Sequence, residues 1–386
     1  VYPPETDSRE STTLNAVRSA ISRNSYYAVD QERNEVRGHT FALTDKGTSA
    51  SGVHTWTIKF PPESGNIVGF SRKAAQTEPV HAWVKVPGDR STMFKYVNPN
   101  VFFIATDDGR GIHAHLVEGV SGRIIYRVYH AKAKGPVYAT LCENWITYSY
   151  YDTDAQRHAL SVLEVYDDSE TRKNKAVSQL VLKSLFGRST SSGTKKNMSS
   201  SAAGVRKVTD DDETVLSSFT PPPLRVLGQS YFIRPGTKFM RVTASARGIT
   251  GHQVLLGTDT DQVVALDRRW LDPRRPTKPS AFDRDEGLIP YMEVLPLSPS
   301  SWVTNKNIVA RLKDVVTAPT ALESTVLCFA RGVDVFYTRL HPSQSFDALD
   351  EEFSYGLLII SLLVVGVTAL ATHRMSVKAT SKRLWK

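Results

Sequence analysis

The chain has 386 residues, with 48 Lys and Arg against 39 Asp and Glu, a formal net charge of +9 and only two cysteines. That length suits one large or two ordinary domains, and two cysteines argue against a disulfide framework or a cysteine-built zinc site. The positive excess would ordinarily suggest nucleic acid. Here it falls in the C-terminal tail, a polar insertion and the turn holding Arg268, Arg269, Arg274, Arg275 and Lys278, without a basic helix or aromatic-basic strip, so no nucleic-acid partner is expected.

Residues 1–24 are polar and Ser/Thr-rich, with little to bury. From Ser25 the chain changes to short alternating or apolar runs broken by turn residues, the signature of β-strands. One unit then recurs. A strand ends at Thr106, Asp107-Asp108-Gly109 turns it, a second strand runs through His115 to Val117, and Gly122 marks the next turn. The same pattern returns around the turn Asp152 to Gln156, around Asp259 to Asp261 between Val254–Gly257 and Val263–Asp267, and around Arg331-Gly332. Each predicts an antiparallel hairpin. Repeated hairpins with few amphipathic helices predict an all-β fold of β-propeller blades over 25–166 and 220–345. A β-sandwich is the rival, and it would need fewer strands.

Between the two blade regions, residues 167–219 are dominated by Ser, Thr, Lys and Gly and read as a disordered insertion in one loop. Within it Leu180 to Phe186 is a candidate transient helix, Asn197-Met198-Ser199 is a glycosylation sequon, and Asp210 to Glu213 reads as a solvated acidic run.

After an acidic juxtamembrane segment at 346–354, Tyr355 to Thr372 reads YGLLIISLLVVGVTALAT without a charge. As a helix it spans about 27 Å, enough to cross an ER bilayer. Gly356, beside Leu357, and Gly366 are tolerated in lipid, and their spacing is not a GxxxG pairing motif. The tail at 373–386 carries Arg374, Lys378, Lys382 and Arg383. Positive residues favour the cytosolic side, which predicts a type I anchor with the bulk of the chain lumenal. Such a topology needs a signal peptide, and the chain opens at Val1 without one, so it reads as the C-terminal part of a longer precursor.

No catalytic, cofactor-binding or metal-binding constellation is expected. The stretch GRGIHA at Gly109 to Ala114 fits GxGxxA in form but lies between two strands instead of opening a helix. His113 and His115 share a strand face and would make two metal ligands, without an evident third. Cys142 and Cys328 sit in apolar runs and read as buried thiols, although an oxidising lumen permits a disulfide. The turn LDPRRP reads first as a strand terminator, while Arg268, Arg269, Arg274 and Arg275 are candidate contacts for acidic partner surfaces.

Long strings in order, among them GDRSTMFKYVNPN (88–100), ENWITYSYYDTDAQRHALSVLEVYD (143–167), RGITGHQVLLGTDTDQVVALDRRWLDPRRP (247–276) and GVDVFYTRLHPSQSFDALDEEF (332–353), followed by the anchor and a basic end closing in Trp385, resemble subunit one of the ER membrane protein complex. The resemblance runs from about Gly88 to Lys386. It implies a non-enzymatic, propeller-bearing lumenal scaffold of a machine that inserts tail-anchored and multipass proteins into the ER membrane. The implied partners are the other subunits, client membrane proteins and the lipid bilayer. No active-site residues carry over, and Arg374 matches the family's basic residue at the cytosolic edge. Two other readings compete. A membrane-anchored quinoprotein-like propeller enzyme is suggested by the Thr-Asp and Ala-Leu-Asp strand signatures but needs metal ligands and a catalytic carboxylate. An ER lectin or sorting receptor needs a sorting signal that MSVKATSKRLWK does not show.

Overall fold

Residues 24–43, 50–73, 79–168, 218–219, 221–342 and 354–384 are described by the structure, a computed structural model. The polar segment before Asn24, nearly all of the insertion with Leu180–Phe186, Asn197 and Asp210–Glu213, and the acidic segment before Ser354 lie outside them. The chain divides into two units, Val1–Pro342 and Ser343–Lys386.

The described part of the first unit is a succession of antiparallel meanders. The first sheet is β1 (Ser25–Asp30), β2 (Glu35–Leu43) and β3 (Ala50–Lys59) in chain order. The second begins with β4 (Asn66–Arg72). After two short strands, β5 (Val84–Lys85) and β6 (Met93–Lys95), it continues with β7 (Val101–Asp107), β8 (Gly111–Glu118) and β9 (Ile124–Ala131). The third is β10 (Ala133–Cys142), β11 (Trp145–Asp152), β12 (Arg157–Asp167) and β13 (Leu224–Ile233), with β6 paired to the end of β12 and β5 to β6. The fourth is β14 (Thr237–Val242), β15 (Gln253–Thr258) and β16 (Val263–Asp267); the fifth is β17 (Asp314–Pro319), β18 (Val326–Arg331) and β19 (Val335–Leu340). A short helix α1 (Ala281–Asp285) opens on a capping box between Ser280 and Asp283.

Residue alternation makes these sheets stack like blades. In β7, Phe102 and Ile104 join Val36 and Val117 between the first and second sheets, while Val101, Phe103 and Ala105 join Tyr148 and Leu163 between the second and third. In β12, Ala159, Leu163 and Val165 face the second sheet, and Leu160 and Val162 meet Val254 and Leu256 of the fourth. In β15, Leu255 turns the other way, to Val315 and Cys328 of the fifth. Strands buried on both faces therefore explain the apolar runs of the sequence.

The hairpins fall where the turn residues put them. The β7–β8 turn is closed by Asp108, whose Oδ1 accepts the backbone N–H groups of Arg110 and Gly111, so GRGIHA forms a hairpin. Asn34 clips the first sheet to the second: its amide donates to the Phe60 and Gly65 carbonyls and its oxygen accepts the Ile67 N–H. Gly65 is required there, with φ +77° and an added Cβ 1.8 Å from the Asp107 carbonyl oxygen.

The second unit holds one helix, α2 (Tyr355–Leu384). It continues past Thr372 through the basic residues, because His373 to Leu384 contains neither Gly nor Pro.

Phe102 is fully buried and stacks on Tyr27 at a ring-centroid distance of 4.2 Å, joining the first two sheets. Phe102→Ala is expected to cost about 3–5 kcal/mol, measured as a lowered urea midpoint of the β unit.

Candidate functional site

The arginine turn is built from its first residue. Asp267, last in β16, caps a 3-10 helix at Arg268–Leu271 by accepting the Arg269 N–H. This throws Arg268 and Arg269 to opposite fates. Arg268 turns inward, donates to the Leu271 carbonyl at 2.9 Å, lies 4.9 Å from the Trp145 ring centroid and pairs with Glu164 of β12. Arg269 keeps a side chain 66% exposed and, among the described residues, pairs only with neighbouring Asp267.

Glu164 is the unexpected centre, a carboxylate only 1% exposed in the buried stretch Ala159–Tyr166 of β12. Besides Arg268 it accepts from the Tyr166 hydroxyl at 2.5 Å and lies 3.8 Å from Lys85 Nζ. Lys85 donates to Asp272 at 2.8 Å. Asp272 also accepts from the backbone and guanidinium of Arg274, and Arg274 forks onto Glu286, which in turn accepts the Gly88 N–H at 3.0 Å. Three cations, Lys85, Arg268 and Arg274, thus balance three anions, Glu164, Asp272 and Glu286. Burial alone would raise the Asp272 carboxyl, yet Lys85 and Arg274 hold it well below the usual carboxylate range.

Arg275 is 2% exposed and donates to the carbonyls of Trp270, Ile289 and Pro290, with its guanidinium over Tyr231 and Trp270. Three of the four arginines singled out in the sequence are therefore committed within the fold, and Arg269 is the one presented outward.

His113 and His115 do share a face of β8, with ring centroids 6.2 Å apart. His113 Nε2 lies 3.2 Å from Asp108, and His115 accepts from Arg127 beside Phe60. No group of three or more His, Cys, Asp or Glu side chains suited to a metal occurs among the described residues. Cys142 lies between the third and fourth sheets and Cys328 between the fourth and fifth, and the two do not form a disulfide. Burial pushes the Cys328 thiol up to about 11.

The second feature is α2. Its stretch Tyr355–Thr380 is long and apolar enough to cross a membrane, and none of the most apolar window is covered by protein. Tyr355, Leu357, Ile360, Leu363, Val365 and Leu370 are all exposed. The hydroxyls of Ser361, Thr368 and Thr372 donate back to the helix's own carbonyls, so none of these three needs an outside partner. Arg374 and Lys378 lie on this helix one turn apart, past Thr372; the side chains of Lys382 and Arg383 lie outside the described residues.

A family model described as ER membrane protein complex subunit 1, second beta-propeller, matches residues 1–343. The chain belongs to this family. Relatives named ER membrane protein complex subunit 1 include those of Gallus gallus and Xenopus laevis, each 30% identical over 94% of this chain and 33% of their own length. The Schizosaccharomyces pombe relative is 25% identical over 92% of this chain and 37% of its own. The chain thus spans about a third of the length of the curated relatives it matches. The stacked meanders are accordingly the blades of the family's β-propeller domain, and the family is that of a complex subunit in the ER membrane.

Two outcomes check the site. Arg268→Ala strands Glu164 as a buried unpaired charge and is expected to cost roughly 3–5 kcal/mol of stability, whereas Arg269→Ala stays within about 0.5 kcal/mol, both read by chemical denaturation. The second concerns acid. Burial pushes His115 down to about 4 from the ordinary 6.5, with Arg127 adding to the effect, so the unfolded chain takes up the proton first as pH falls. The stability tied to neutral His115 is therefore complete above about pH 6.5 and is lost as pH falls from there towards 4, by on the order of 3 kcal/mol. Thermal melts across that range should show the loss, and His115→Leu should remove this share of it.

Proposed function

We propose that the chain acts as a non-catalytic lumenal scaffold of the ER membrane protein complex, supporting insertion of tail-anchored and multipass proteins into the ER membrane. In this reading α2 is a single span, the β unit is lumenal, and the basic end following Thr372 is cytosolic. The observation that carries it is α2 itself: a helix with Leu, Ile and Val exposed all round has no stable place in water, and the hydroxyls of Ser361, Thr368 and Thr372 are satisfied within the helix as lipid demands. Arg374 and Lys378, with Lys382 and Arg383 in the sequence, supply the charge asymmetry that sets the orientation.

The partners are the other subunits, client membrane proteins and the bilayer. Arg269 remains the arginine available to an acidic partner surface, and Asn197 becomes a glycan acceptor once its segment is lumenal.

Mild-detergent purification of the tagged protein from its native cells should bring down a stoichiometric set of multispanning and cytosolic subunits, identified by mass spectrometry. A chain that migrates alone, or with glycoprotein cargo only, refutes the scaffold. For orientation, a sequon engineered ahead of Tyr355 should gain an endoglycosidase-sensitive glycan, and one appended after Lys386 should not; the reverse pattern refutes the type I topology.

A further inference from the structure

A cleft of ≈ 340 Å³ opens on the third sheet at the edge strand β13, with the Tyr231 ring in its lining backed by Arg275 of the arginine turn. Tyr150 of β11, Ala159 of β12 and Phe232 of β13 lie in one cross-strand row on the sheet face, and the segment Glu293–Leu295 closes the edge by pairing with Phe232 in parallel. The lining combines the rings of Tyr150, Tyr231, Phe232 and Tyr291 with the hydroxyl-bearing Ser230 and two carboxylates, Asp152 and Glu293.

The aromatic wall is held in place from behind. Tyr150 hydroxyl contacts His130 Nδ1 at 3.1 Å and Ser161 at 3.3 Å, Ser161 meets Ser230 at 2.6 Å, and His130 Nε2 meets the Tyr148 hydroxyl at 2.6 Å. Tyr291 is fixed by donating to the Ser230 carbonyl at 3.0 Å. Burial pushes the His130 imidazole down to about 4, so the group behind the wall carries no charge that would repel a cation.

At the mouth the carboxylates are not neutralised by the fold. Glu293 forms no ion pair among the described residues, and its backbone carbonyl accepts the Phe232 N–H. Asp152 spends Oδ1 on the N–H groups of Asp154 and Ala155 at the β11–β12 turn. Of the nearby cations, Lys132 pairs with Asp154 at 2.8 Å, Arg157 approaches Phe232 at 5.9 Å, near the outer limit for a cation over a ring, and Arg275 lies 5.3 Å from the Tyr231 ring centroid with its guanidinium committed to the Trp270, Ile289 and Pro290 carbonyls; none of the three lines the cleft. Electron-rich ring faces with two carboxylates at the rim attract a cation on an apolar stem. A small hydrated ion would leave the rings uncovered, and an anion would meet both carboxylates.

We propose that this cleft is a docking site for a lysine- or arginine-bearing segment of another polypeptide, whose aliphatic stem packs on Tyr150, Phe232 and Tyr291 while its charged head meets Asp152 and Glu293. It rests on the reading of the chain as a complex subunit and adds a place and a chemistry for one contact. Rigid aromatics with a charged rim are what interfaces use to anchor such a side chain.

The test is site-specific photo-cross-linking in the intact membrane-extracted complex, with p-benzoylphenylalanine in place of Tyr291 and, separately, of Phe232. The expected product is a cross-link to another polypeptide, mapped by mass spectrometry to a segment carrying Lys or Arg beside the trapped residue. Combining either probe with Asp152→Asn and Glu293→Gln, near-isosteric changes, should lower its yield about tenfold. An assembled complex that gives cross-links only within this chain, to a segment without a basic residue, or with a yield indifferent to the two carboxylates overturns the cleft alone. A tagged chain found unassembled overturns the scaffold reading and the docking site with it.

Discussion

A sheet that is apolar on both faces must be covered twice, and the second, third and fourth sheets here are of that kind. Neighbouring meanders therefore cannot be separated without exposing Phe103, Leu160 or Leu255. The same requirement makes Glu164 costly, since it places a carboxylate in an interface that every other constraint drives to be dry. The cost is met from far along the chain: Lys85 precedes β6, and Arg268 and Arg274 follow β16. Such a network adds little over an apolar pair of equal volume. Its effect is to penalise any packing that leaves Glu164 without Arg268, so the turn after the fourth sheet is locked to β12, inside the third.

Much of the fold was legible in the sequence because hairpins are local. Asp107-Asp108-Gly109, Asp152 to Gln156, Asp259 to Asp261 and Arg331-Gly332 each lie between strands that pair antiparallel, as expected. Turn chemistry and strand periodicity act over a few residues, and reading them requires no tertiary knowledge. The short strands β5 and β6 were not legible. Two and three residues carry no period, and they pair only because β12 outruns β11.

The site was legible in part. LDPRRP stood out as a terminator, yet β16 already ends at Asp267, ahead of the 3-10 helix, and nothing in the spacing of four arginines says which of them turn inward. One signal was present: Glu164 is the single acidic residue between Arg157 and Asp167, in a run otherwise apolar or small after His158. A lone charge in such a run calls for a buried counter-ion. Its partner lies 104 residues away, as Arg268 minus Glu164, beyond the reach of any local pattern. The aromatic cleft was hidden for the same reason, since Tyr150, Phe232 and Tyr291 belong to three separated segments.

The helix α2 continues without a break from its apolar stretch into the basic residues. Its 30 residues make a rod of about 45 Å. In a bilayer, the tilt of such a rod responds to the thickness of the hydrocarbon layer. A change of about 10° sweeps the far end sideways by roughly 8 Å, from the length of the rod alone. A flexible tail would dissipate that movement within a residue or two. A continuous helix acts as a lever, and converts local membrane thickness into a displacement of its positive end.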